Sequence, residues 1–146
     1  MKAFTLCAAL LLPFIVTSAA AAAPRPGSEV VIINTGDRFT PGYRVTVEPN
    51  GALASTLVPR GQRKPIRRTD RMIAVNRQRF FADLARAAPL NQVPTERRGP
   101  APKIFIRYQG QLSSNLRAAS RPAGRTLYQD VKKILQVLRL PIPNAP

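Results

Sequence analysis

The chain has 146 residues and a formal net charge of +16, with no His, no Trp and a single Cys at position 7. Without His, and with its one Cys in the N-terminal apolar run, it excludes Cys/His metal centres and both Ser-His-Asp and Cys-His nucleophile systems. An excess of basic residues this large favours anionic partners, and most of the basic side chains are arginines, which suit bidentate contact with phosphate or carboxylate.

Lys2 precedes an apolar run from Ala3 to Val16, and small residues from Ser18 to Ala23 end at Pro24. That order is the charged, apolar and small-residue pattern of a secretory signal peptide over residues 1–23, with cleavage expected between Ala19 and Pro24. The expected location is therefore exported, periplasmic or secreted. The run is shorter than the roughly 20 residues of a membrane span. Residues 24–146 then form a single small α+β domain of ordinary length. With no disulfide available to it, the domain must rest on its apolar core.

Val30 to Ile33 reads as a short buried strand before the Asn34-Thr35-Gly36-Asp37 turn. Tyr43 to Glu48 alternates, with Tyr43, Val45 and Val47 on one side and Arg44, Thr46 and Glu48 on the other. Pro49-Asn50-Gly51 suits a bulged hairpin, with Gly51 in the left-handed region and a return strand from Ala52 to Val58. Pro59 to Arg71 carries Arg60, Arg63, Lys64, Arg67, Arg68 and Arg71 with Ile66 as its one apolar residue, and reads as a solvated basic loop with room for a short edge strand around Ile66.

A helix follows, capped by Asp70 or by Asn76 with Val75 and Phe80 as a staple. Its expected stripe is Ile73, Phe80, Phe81, Leu84 and Ala88, and Pro89 stops it. Pro94 to Pro102 is a second loop. Lys103 to Tyr108 reads as a strand, Gln109-Gly110 as a turn and Gln111 to Leu116 as a weaker partner strand. A last helix, from about Arg125 to Leu140, aligns Leu127, Val131, Ile134, Leu135 and Leu138. The expected fold is an antiparallel sheet of four to five strands with two helices packed on one face. Its core centres on Phe80, Phe81, Leu84, Leu127, Val131 and Ile134, against Val45, Val47, Ile104 and Ile106.

Three blocks carry a resemblance: Phe80-Phe81-Ala82-Asp83-Leu84, Tyr108-Gln109-Gly110-Gln111-Leu112-Ser113-Ser114-Asn115-Leu116 and Leu127-Tyr128-Gln129-Asp130-Val131. They resemble those of a family of small, uncharacterised secreted bacterial proteins. More distantly, the order hairpin, helix, strand pair, helix resembles that of emfourin-type metallopeptidase inhibitors. The second resemblance implies a protein-binding inhibitor of a secreted metallopeptidase as an alternative function and assigns no residue a role.

The acids are Glu29, Asp37, Glu48, Asp70, Asp83, Glu96 and Asp130, and no two form a local catalytic signature. Asp83 has Arg79 and Arg86 at helical spacing and Asp130 has Lys133, as in surface ion pairs. Asp37 fits a turn. Catalytic residues, metal ligands and cofactors are expected to be absent. The expected function is non-enzymatic docking on an anionic partner through Arg60, Arg63, Lys64, Arg67, Arg68 and Arg71. That partner is a membrane surface, a polyanion or an acidic protein. The basic segment has no aromatic side chain on which bases could stack, so specific nucleic-acid recognition is not expected.

Overall fold

The computed structural model describes residues 28–37, 40–59, 64–92 and 102–142. The expected signal peptide, the loop around Arg97 and Arg98, and the expected binding residues Arg60 and Arg63 lie outside them. Six strands form one antiparallel sheet: β1 (Val30–Asn34), β2 (Tyr43–Val47), β3 (Ala52–Leu57), β4 (Ile66–Arg71), β5 (Ile104–Tyr108) and β6 (Gln111–Leu112). Their spatial order is β4-β3-β2-β1-β5-β6. Two helices, α1 (Ala74–Ala87) and α2 (Pro122–Val137), accompany them. No described helix is long and apolar enough to cross a membrane.

The β2–β3 hairpin forms as its turn chemistry dictates. Gly51 has φ +89° and donates its N–H to Glu48 O at 2.8 Å, while Asn50 Oδ1 accepts the Ala52 N–H at 2.7 Å. Alternation then aims Tyr43, Val45, Val47, Leu53, Ser55 and Leu57 at the helices. Val30 and Ile32 of β1 and Ile104 and Ile106 of β5 lie on the same side, and all ten side chains are buried. Phe80, Leu84, Leu127, Val131 and Ile134 close the core from the helix layer.

Among the described residues the strand count is six where four to five are expected, because the second half of the basic segment is a strand. Ile66 to Arg71 pairs with β3 over six register positions, from Leu57↔Ile66 to Ala52↔Arg71. Backbone pairing to an otherwise open β3 edge decides the outcome, although the segment carries almost no apolar pattern. β6 is shorter than expected because side chains take over its ladder. Ser113 Oγ accepts the Ile106 N–H at 2.9 Å, and Asn115 Oδ1 accepts the Ile104 N–H at 3.1 Å. Gln111 Oε1 likewise accepts the Leu90 N–H at 3.0 Å.

The start of α1 departs from expectation. Asp70 belongs to β4, Asn76 lies inside the first turn, and Ile73 holds the N-cap position without a side-chain cap. Ile73 is 66% exposed, outside the stripe assigned to it, and Ala88 is exposed as well. The buried stripe is Phe80, Asp83, Leu84 and Ala87. Phe81 is partly buried and packs edge-to-face on Phe80, with centroids 5.4 Å apart at 75°. At its other end α2 stops earlier than expected. Arg139 takes φ +51°, its N–H bonds Gln136 O at 3.0 Å, and the Leu140 N–H bonds Leu135 O at 2.9 Å. That is a Schellman ending with arginine at the left-handed position where glycine is usual.

Candidate anion-binding surface

The β3–β4 register splits the basic cluster in two. Residues facing each other across an antiparallel pair share a sheet side. Ile66, Arg68 and Asp70 oppose Leu57, Ser55 and Leu53 and so lie on the helix side. Arg67, Thr69 and Arg71 lie on the other side, which no described helix covers. Lys64 is exposed just ahead of the strand.

Arg68 therefore does not join its neighbours at one surface. Its Nη1 donates to Leu138 O at 2.8 Å and also to Arg139 O. A cation set on the last carbonyls of α2 satisfies acceptors that the helix leaves open and opposes the negative end of its dipole. Arg68 is thus held on the end of α2, apart from the exposed side chains of Arg67 and Arg71.

The open sheet side gains two arginines from strands remote in sequence. One cross-strand row runs Phe105, Ile33, Arg44, Thr56, Arg67. The next runs Leu112, Arg107, Val31, Thr46, Ala54, Thr69. Arg44, Arg67, Arg71 and Arg107 are all exposed. Strands lie about 4.8 Å apart, so with Thr56 between them Arg44 and Arg67 stand about 10 Å apart. Neither row contains a carboxylate. Glu48 shares the row of Ala52 and Arg71, and its Oε2 accepts the Asn50 Nδ2–H at 3.0 Å. Arg44 was legible as an outward residue from the alternation of Tyr43 to Glu48; its neighbourhood with Arg67 was not.

A second charged cluster was legible in the sequence only as separate ion pairs. Asp83 and Asp130 are 4% and 5% exposed and meet between α1 and α2. Arg79 Nε lies 3.7 Å from Asp83 Oδ2 and 3.3 Å from Asp130 Oδ1, bridging the helices. Arg86 Nη1 lies 2.9 Å from Asp83 Oδ1, and Lys133 Nζ lies 3.7 Å from Asp130 Oδ1. The expected ion pairs thus form, but their carboxyl ends are buried rather than at the surface. Burial raises the pKa of Asp130, a side-chain hydrogen bond with Asp83 raises it further, and Arg79 and Lys133 oppose the shift. The arrangement favours the protonated form of Asp130, and Arg79 ties one helix to the other.

Asp37 braces its turn as expected: its Oδ1 accepts the Thr40 N–H at 2.6 Å and its own N–H bonds Thr40 O at 2.9 Å. Buried Tyr43 has its phenol pushed well above the ordinary range by desolvation, with Asn34 working in the opposite direction. No protein-family model matches this chain, and no curated protein matches it.

Proposed function

We propose that this is an exported, non-enzymatic binding protein that docks on an anionic component of the cell envelope or on an acidic protein. The contact uses the open sheet side and its basic margin: Lys64, Arg67 and Arg71 of the expected segment, joined by Arg44 and Arg107. The observation that carries the reading is the row in which Arg44 and Arg67 flank Thr56, both exposed and with no carboxylate in the row. Guanidinium groups at that spacing suit several phosphates or carboxylates held on one surface.

The test is elution from immobilised heparin over a salt gradient. Arg44→Ser with Arg67→Ser should elute at clearly lower salt than the charge-matched pair Arg121→Ser with Arg125→Ser, whose side chains are exposed at the start of α2. Equal elution of the two variants would mean that the charge acts diffusely and that this surface is not the docking site.

A further inference from the structure

Among the described residues six large apolar side chains are exposed, and four of them border one edge of the molecule. Ile66 starts β4, Ile73 and Val75 follow its end, and Val137 closes α2; they are 37%, 66%, 67% and 46% exposed. A cavity of about 110 Å³ opens here, walled by Met72, Ile73, Ile134 and Val137 and rimmed by Arg71 and Lys133, with Asp130 at its inner end. Arg79 reaches from α1 to Asp130 on α2, so its flank of α1 faces α2. Val75 lies one turn before Arg79 on that flank. On α2, Asp130, Lys133 and Val137 follow one another at helical spacing along the facing flank. Ile73, Val75 and Val137 thus stand around the mouth of the seam between the helices.

Cations stand at that mouth and along the strand that leads to it. Arg71 and Lys133 rim the mouth, Arg67 is exposed along β4 and Lys64 just ahead of it, and Arg139 is exposed where the end of α2 meets Arg68 and Thr69. Asp70 is the one carboxylate of β4, and its Oδ1 accepts the Arg71 N–H at 2.7 Å. A soluble polyanion would neutralise these cations and leave the apolar side chains in water. A bilayer with anionic headgroups offers phosphates to the one set and acyl chains to the other.

We propose that the β4 edge docks on anionic phospholipid bilayers. Ile73, Val75 and Val137 enter the boundary between headgroups and acyl chains, and Lys64, Arg67, Arg71 and Lys133 hold lipid phosphates. The inference rests on the anionic-partner reading and names the partner.

The chain contains no Trp, so a single introduced indole reports on one place. Val75→Trp is expected to shift its emission to the blue with vesicles of phosphatidylglycerol and phosphatidylcholine. No shift is expected with phosphatidylcholine alone, heparin or polyglutamate, nor for Gln129→Trp on the exposed back of α2 under any condition. Ile73→Ser with Val137→Ser should weaken binding to the anionic vesicles roughly ten-fold and leave heparin elution unchanged. Because emission is read at a single position, any vesicle contact made by residues outside the described part does not affect it.

Bound vesicles without a shift at position 75 would overturn the proposal, and an equal shift with polyglutamate would overturn it in favour of an acidic protein. Heparin binding without vesicle binding would refute the lipid proposal alone. Loss of both would refute the wider anionic reading too.

Discussion

Arg67 and Arg68 are adjacent and identical in type, yet the structure assigns them opposite consequences on substitution. Arg68 Nη1 bonds the carbonyls of Leu138 and Arg139, and its side chain is partly buried against the end of α2. A hydrogen bond from a charged donor contributes about 1.5–3 kcal/mol, and a cation at a helix C-terminus about 0.3–1 kcal/mol. Both figures describe the same charge, so they overlap and do not add. The freed carbonyls also regain water at an exposed edge, which places Arg68→Ser at about 1–2 kcal/mol of lost stability. Arg67 stands exposed on the open side with no ion pair among the described residues, and Arg67→Ser should stay within about 0.5 kcal/mol of wild type. With a urea slope of about 2 kcal/mol per molar, Arg68→Ser should lower the unfolding midpoint by about 0.5–1 M. Arg68→Lys keeps the charge but loses the fork, and should recover part of the difference. Heparin elution should rank the two serine variants the other way, with Arg67→Ser the weaker binder. Coincident urea midpoints for Arg67→Ser and Arg68→Ser would refute the capping role.

Leu84→Ala and Ile134→Ala each truncate a side chain at most 2% exposed, and should cost about 2–5 kcal/mol by denaturant unfolding. Asp130 has a native pKa raised above its ordinary 3.8, so the folded state holds a proton that the unfolded chain releases. Its stabilising contribution is full below 3.8 and is lost as pH rises through the raised native value. Asp130→Asn should remove that slope, and stability–pH profiles running parallel in the two proteins would contradict the raised pKa of Asp130. Arg139→Gly relieves a left-handed backbone at φ +51° and should raise stability by about 0.5–1 kcal/mol, read as a higher melting midpoint.

The parts of the fold legible in the sequence are those whose signals are local. The β2–β3 hairpin combines two-residue alternation with a turn that only Gly51 completes comfortably, and both cues sit within fifteen residues of chain. The stripe of α2 is likewise periodic in itself. β4 has no such signal. Its residues are charged at nearly every position, and what makes them a strand is the unpaired edge of β3, which is invisible from within the segment. Ile73 shows the converse error. Its spacing fits the stripe of α1, but the helix begins one residue later, and the residue projects into solvent. Asp83 and Asp130 each carried a complete local explanation in the bases of their own helices. Only the packing of α1 on α2 brings the carboxyls together, and no one-dimensional pattern contains that contact.

The arginines of β4 admit a simpler role that has to be weighed against docking. An edge strand presents unpaired N–H and C=O groups, and charged side chains there discourage pairing with a second chain. Arg67 and Arg71 meet that need by themselves. Edge protection does not account for Arg44 or Arg107, which stand on β2 and β5, strands paired on both sides. Nor does it account for the row they enter, where Arg44 and Arg67 share a sheet side with Thr56 between them and no carboxylate to balance them. Like charges held on one surface repel and cost folding free energy unless something binds them. Arg68 shows that this chain can pair a β4 arginine internally when the fold requires it. On the open side Arg44, Arg67 and Arg107 are left exposed in rows without a carboxylate, and the proposed anionic partner would supply the compensation that those rows lack.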